Sequence, residues 1–186
     1  LPDQNRAYAG FGYKFNFSEV QTALENVVGF MKDGTRVFES AHYVDSPIEK
    51  VFNFFSDEKN LEEITPKYLN FNVLGKSTPA IQKGTLIDYK LKIHGLPTSW
   101  QTEIVDWQPN KQFVDVQKKG PYSLWHHTHY FQKMGKGTYM KDRVLYKLPM
   151  GILGRLFAGR FVERDVVEIF SFRQSQIKKL FPYQNE

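Results

Sequence analysis

There is no cysteine in the 186 residues, so a disulfide scaffold is excluded and a zinc site could draw only on nitrogen and oxygen ligands. Long apolar runs are missing as well. Nothing approaches the roughly 20 consecutive apolar residues that a membrane-spanning helix needs. The first residues, LPDQNRAYAGF, lack the basic start and apolar stretch of a secretory signal. No G-x-S-x-G elbow, phosphate loop or G-x-G-x-x-G fingerprint occurs, so hydrolase, NTPase and dinucleotide chemistry have no support and no cofactor is expected in this chain. Charge of one sign does not dominate: 25 basic residues stand against 20 acidic ones, a formal net charge of +5. Lys118-Lys119 and Lys178-Lys179 are short surface pairs, too sparse for a nucleic-acid face. A soluble, cytoplasmic protein with no membrane span and no nucleic-acid partner is the expectation.

Aromatic residues make up 16% of the chain, and the length suits one domain with a sizeable core. SEVQTALENVVGFM carries Val20, Ala23, Leu24, Val27 and Val28 at helical spacing behind a Ser18 cap, which predicts a helix over about 19–31. Asp33-Gly34 closes it, dividing an N-terminal appendage (1–33) from a main domain (34–186). RVFESAHYV reads as a strand. In DSPIEKVFNFFSD, Ser46 is the expected cap, Pro47 the first helical residue and Glu49 the partner in a capping box. EKNLEEIT reads as a second short helix.

From Leu69 the period becomes two. FNVLG, TLIDYKLKI, SWQTEIVDW, QFVDVQ, WHHTHYF and TYMKDRVLYKL form an antiparallel meander, and the alternation in TLIDYKLKI marks a sheet with one wet face. The last segment places Val162, Val166, Ile169, Phe170, Ile177 and Leu180 at helical intervals. Its glycines predict an irregular or short helical lead-in through Gly159, then a long helix to about Phe181. The fold class is α+β, a helix-grip: about seven strands in a curved antiparallel sheet, two short helices and a long C-terminal helix.

That element order, with the runs GTLIDYKLKIHGLPTSWQTEI, FVDVQKKGPYSLWHHTHYF and GTYMKDRVLYKLPMGILG, resembles the START-like (SRPBCC) superfamily, which includes polyketide cyclase/dehydrase-type proteins and the birch-pollen allergen group. The resemblance covers about residues 35–182 and implies a cavity for a hydrophobic ligand. In the appendage, Ala9, Gly10, Phe11, Tyr13, Phe15, Ala23 and Leu24 resemble the C-terminal tail of epimerase-like short-chain dehydrogenases, a group often labelled cell-division inhibitors. This second resemblance implies fusion to an upstream epimerase-like domain, with which a chain starting at Leu1 is consistent. The plainer reading is an ordinary amphipathic helix.

Three of the five histidines fall within WHHTHYF. On a strand, Trp125, His127, His129 and Phe131 share one face, taken as inward, and His126 points outward to the surface. The KMGKG hairpin brings Asp142 opposite or diagonal to His127 or His129, and the GPY turn brings Asp115 near His127. Three readings of this cluster stay open: an internal polar network, a polar patch that orients a ligand, and a His-Asp acid-base pair of cyclase or dehydratase type. H-x-H could also aim two imidazoles at a metal, though without cysteines none is expected. The candidate catalytic residues are His127, His129, Asp142 and Asp115. The candidate ligand-binding residues are Tyr89, Leu91, Trp100, Thr102, Phe113, Trp125, His127, His129, Met140 and Asp142. His94 and Gly95 could shape a rim, and Arg155, Arg160 and Arg164 could meet an anionic headgroup. A small lipophilic ligand is the expected partner; a non-catalytic role beside the epimerase-like domain is the reading of a different class.

Overall fold

The structure is a computed structural model that describes residues 27–149 and 151–183, with side chains from Val28 to Pro149 and from Phe161 to Tyr183. Its frame is an antiparallel sheet of β1 (Val27–Phe30), β2 (Arg36–Val44), β3 (Asn72–Lys76), β4 (Leu86–Ile93), β5 (Leu96–Gln108), β6 (Gln112–Lys119), β7 (Leu124–Met134) and β8 (Gly137–Lys147). Across the sheet the order is β1-β2-β8-β7-β6-β5-β4-β3. Helix α1 (Ile48–Phe55) and 3-10 turns at Glu58–Leu61 and Lys67–Leu69 lie between β2 and β3, and helix α2 (Gly151–Leu180) follows β8. Among the described residues, no helix is long and apolar enough to cross a membrane.

The seven expected strands are present, and β1 makes an eighth. Val27–Phe30 pairs antiparallel with Arg36–Glu39, so these residues are strand where a helix was expected. Both periods fit so short an apolar run, and here a nonlocal partner decides. The remainder of the expected helix, and the tail-like motif before it, lie outside the described residues.

Helix α1 buries Ile48, Val51, Phe52 and Phe55 on one side, the spacing of an amphipathic helix lying on a core. It begins one residue later than expected. Pro47 takes the cap position without a side-chain cap bond, and its carbonyl accepts from the N–H groups of Lys50 and Val51. Ser46 instead contributes its carbonyl, which accepts from the Thr138 hydroxyl at 2.8 Å and ties the helix start to β8. The expected second helix is only the 3-10 turn at Glu58–Leu61, started by the Asp57 carboxylate accepting from the Lys59 N–H.

The long helix runs unbroken from Gly151, with no irregular lead-in. Glycine weakens a helix interior by about 1 kcal/mol without forbidding it. Val166, Phe170, Arg173, Gln174 and Ile177 form its buried face, and the Arg36 guanidinium on β2 pairs with Glu163 at 2.5 Å.

The core divides into three groups. One gathers α1 with Val44, Phe113, Phe131, Met140, Ile177 and Phe181; in it the Phe52 ring meets Phe131 and Trp107 edge-on at 5.2 and 5.3 Å between centroids. A second joins Phe38, Val144 and Tyr146 to Val166 and Phe170 of α2. The third is Ile87, Tyr89 and Ile104 on β4 and β5. Between β5 and β6 the register slips at Ile104/Asp106, a bulge of the kind that bends a strand and increases its twist. It lies directly across from Asp115.

Candidate functional site

The space between the sheet and α2 holds a cavity of about 370 Å³, near the lower end of the range for small-molecule sites, about 300–1,000 Å³. Most of its wall is aromatic or aliphatic. Tyr89 and Leu91 come from β4, Trp100, Thr102 and Trp107 from β5, Phe113 from β6, and Trp125 from β7, with Val166, Ile169 and Phe170 closing the helix side. The Trp100 indole N–H donates to the Thr102 hydroxyl at 3.1 Å, so the buried polar atom of that ring is satisfied within the wall.

Strand alternation sets the polar part. His127 faces Asp115 across β6–β7, and His129 faces Asp142 across β7–β8. The two imidazoles lie 3.7 Å apart between centroids and close a four-membered ring with the carboxylates. His127 Nε2 is 3.0 Å from Asp142 Oδ1, and its Nδ1 is 3.4 Å from Asp115 Oδ2. His129 Nε2 is 3.1 Å from that same Asp115 oxygen, and its Nδ1 is 2.9 Å from Asp142 Oδ1, off the line of a good hydrogen bond. The His129 ring also stacks on Phe113 at 4.1 Å. His126 is half-buried rather than at the surface, with a buried Nδ1; β7 lies mid-sheet between β6 and β8, so side chains of both neighbouring strands flank it.

Charge follows from this geometry. Burial, then the charge of His129, pushes His127 down to about 4. For His129, burial pulls downward but the hydrogen bond to Asp115 and the close Asp142 carboxylate outweigh it, and the group is raised. Burial likewise opposes ionisation of Asp142, yet the two imidazoles hold it well below the usual carboxylate range; Asp115 is lowered in the same way. The ring therefore favours two ionised carboxylates and a neutral His127, and of the two imidazoles His129 is the one whose protonated form is favoured. The longest of the four contacts, His127 Nδ1 to Asp115, is where a bare ring nitrogen would face a carboxylate, so the His127 proton sits on Nε2.

Asp115, His127 and His129 line the cavity, and Asp142 does not. Asp142, 1% exposed, lies behind the two imidazoles, and Met140, fully buried, packs in the α1 core group beyond the cavity's reach. These two correct the expected ligand contacts. The other eight of that set reach the wall. His94 and Gly95 form part of the rim; His94 takes a left-handed backbone, φ 49°, and its Nε2 lies 2.8 Å from Asp165 on α2. Tyr68 stands on the same side, its phenol pushed up to about 12 by burial and by Glu168 of α2. Of the three arginines proposed for a headgroup, Arg164 is exposed and lies over the Phe161 ring at 5.7 Å, away from the cavity wall. The side chains of Arg155 and Arg160 lie outside the described ones.

Arg173 is the residue that sequence reasoning missed. It lines the cavity with 9% of its surface exposed, and its Nε and Nη1 have no hydrogen-bond partner. The available signal was its position: it falls between Phe170 and Ile177 on the inward stripe of α2, where the helical period calls for an apolar residue.

Asp115, His127 and His129 also have ligand atoms within 4.8 Å of one another, the only such metal-sized group among the described residues. Each imidazole nitrogen already faces a carboxylate, so an ion would have to break into those contacts.

The sheet-and-helix arrangement recurs widely. The protein TTHA0849 from Thermus thermophilus superimposes with a TM-score of 0.58 at 20% identity over 77% of this chain and 94% of its own. CV1439 from Chromobacterium violaceum gives 0.62 at 12% identity, covering 80% and 99%. The di-domain ARO/CYC StfQ of the steffimycin biosynthetic pathway gives 0.63 at 12% identity, covering 81% of this chain and 51% of its own. At such identities the likeness is one of fold, the START-like helix-grip. A comparison with curated proteins finds no match. The family model described as polyketide cyclase/dehydrase and lipid transport matches residues 44–171, more than half of the chain and every element that builds the cavity from α1 to Phe170, and the chain belongs to that family.

Proposed function

We propose that the protein binds a small, largely apolar molecule in the cavity between the curved sheet and α2. The observation that carries this reading is a largely aromatic and aliphatic wall around about 370 Å³ with a polar cluster at His127, His129 and Asp115. Apolar lining supplies affinity, and a few converging polar groups fix orientation, the usual division in small-molecule sites.

Binding is favoured over catalysis by the state of the imidazoles. A general base needs a free nitrogen within reach of the proton it takes. All four ring nitrogens of His127 and His129 lie within 3.4 Å of a carboxylate oxygen, and His127 is a weak base at about 4. The cluster orients a ligand and stiffens the sheet.

Native mass spectrometry of protein purified from its own host tests the proposal. A stoichiometric adduct of a lipophilic molecule, removed by organic solvent, is the expected result. Protein that carries no adduct and takes up no apolar compound in vitro contradicts it. A His127→Gln variant that binds ligand normally but loses turnover on a candidate substrate would instead favour cyclase or dehydratase chemistry.

A further inference from the structure

Arg173 is a cavity-lining charged group whose chemistry is not satisfied by its surroundings. Its helix position between Phe170 and Ile177 drives it inward, and its guanidinium lies over the Phe170 ring at 4.8 Å. A guanidinium carries five N–H donors and stays charged at any physiological pH. Two of its nitrogens, Nε and Nη1, are buried without an acceptor. Buried polar groups are normally paired, and leaving a charged one unpaired costs several kcal/mol. The Asp115 and Asp142 carboxylates act on it electrostatically, but neither accepts a hydrogen bond from its Nε or Nη1.

We propose that Arg173 is the anchor for a carboxylate on the ligand, so that the molecule taken up is an apolar acid with its charged end at α2 and its body against Trp100, Trp107 and Trp125. This rests on the binding role argued above and names the class of ligand. A planar donor fork matches a carboxylate with two parallel hydrogen bonds, the geometry in which arginine surpasses lysine. Burial lowers the Arg173 pKa, but a guanidinium keeps its proton inside proteins, so the anchor persists across the physiological range.

The test uses three compounds of one shape, 2-naphthoate, 2-naphthamide and 2-methylnaphthalene, competing with the neutral dye N-phenyl-1-naphthylamine on the full chain. For the native protein, 2-naphthoate should displace the dye at concentrations about 10–100-fold lower than either neutral compound, the ratio expected of charge-assisted hydrogen bonds. Arg173→Gln and Arg173→Met should both abolish that preference while leaving 2-methylnaphthalene unaffected, and Arg173→Lys should keep part of it. Dye binding in each variant shows that the cavity is intact. Equal binding of the acid and the amide, or a preference that survives in Arg173→Gln and Arg173→Met, overturns the proposal and leaves Arg173 as a counter-ion of the histidine cluster. Failure of all three compounds to displace a bound dye also overturns it without touching the cavity reading, whereas failure of the dye itself to bind removes both.

Discussion

His127 Nε2 and Asp142 Oδ1 meet at 3.0 Å although they are not cross-strand partners: His127 stands opposite Val144, and Asp142 opposite His129. One carboxylate oxygen thereby serves two imidazoles two residues apart, and Asp115 does the same from the other side. Only one imidazolium fits between rings 3.7 Å apart, so the protonation of each histidine depends on the other.

Stability should fall as pH drops through the acid range. His127 is depressed to about 4 in the folded state from an unfolded value near 6.5, so the unfolded chain gains the proton first. Its contribution is complete above about 6.5 and is lost between there and 4, on the order of 3 kcal/mol. His42, lowered by burial, adds in the same direction, and the lowered Asp115 and Asp142 extend the loss below the usual carboxylate range. His129, being raised, acts oppositely: its contribution is present below its unfolded value and fades as pH rises through the folded one. Urea unfolding at pH 7, 5.5 and 4.5 measures this; a flat or rising profile would refute the charge assignment.

Removing one histidine should free the other. With His129→Gln the neighbouring positive charge disappears, and the NMR titration midpoint of His127 should move up from about 4. With Asp142→Asn the midpoint of His129 should fall, and the fold should lose about 3–5 kcal/mol, as buried pairs do when one member is deleted. Midpoints that stay where they are in both variants would show that the rings do not interact.

Phe52→Ala should destabilise the protein by about 3–5 kcal/mol, since that ring is the point where α1 meets Trp107, Phe113 and Phe131. Gly137→Ala should cost about 1–3 kcal/mol by overpacking, because a methyl group there would run into the Tyr43 phenol and the Val44 carbonyl. The backbone carbonyl cannot move aside, so shortening Tyr43 should not rescue it. Thermal unfolding of the variants decides both.

His94→Gln should hasten ligand exchange while leaving stability nearly unchanged. The His94–Asp165 contact joins the β4–β5 turn to α2 at the cavity rim, and an exposed pair of this kind contributes at most about 1 kcal/mol. Stopped-flow dye release should be faster in the variant; an unchanged rate would show that ligands leave by another path.

Much of this was legible in the sequence because strand alternation is a local signal. TLIDYKLKI and WHHTHYF reveal their inward faces unaided, and the short KMGKG hairpin between β7 and β8 brought Asp142 into place beside the histidines. What was not legible depends on contacts distant in the chain. VVGF reads equally as helix or strand until β2 pairs with it. Met140 shares a face with Asp142 and was expected at the ligand, but α1 covers that end of the sheet. Arg173 was missed because a charged residue is assigned to solvent by default, and only the packing of α2 on the sheet turns it inward.

The protein's own tryptophans report most directly on the ligand cavity, on which the whole account depends. Trp100, Trp107 and Trp125 are the only three in the chain, and all three line the cavity. A titration with N-phenyl-1-naphthylamine, exciting tryptophan and recording dye emission, should show saturable energy transfer at one dye per chain. Absence of saturable transfer in a protein that remains folded would contradict the account.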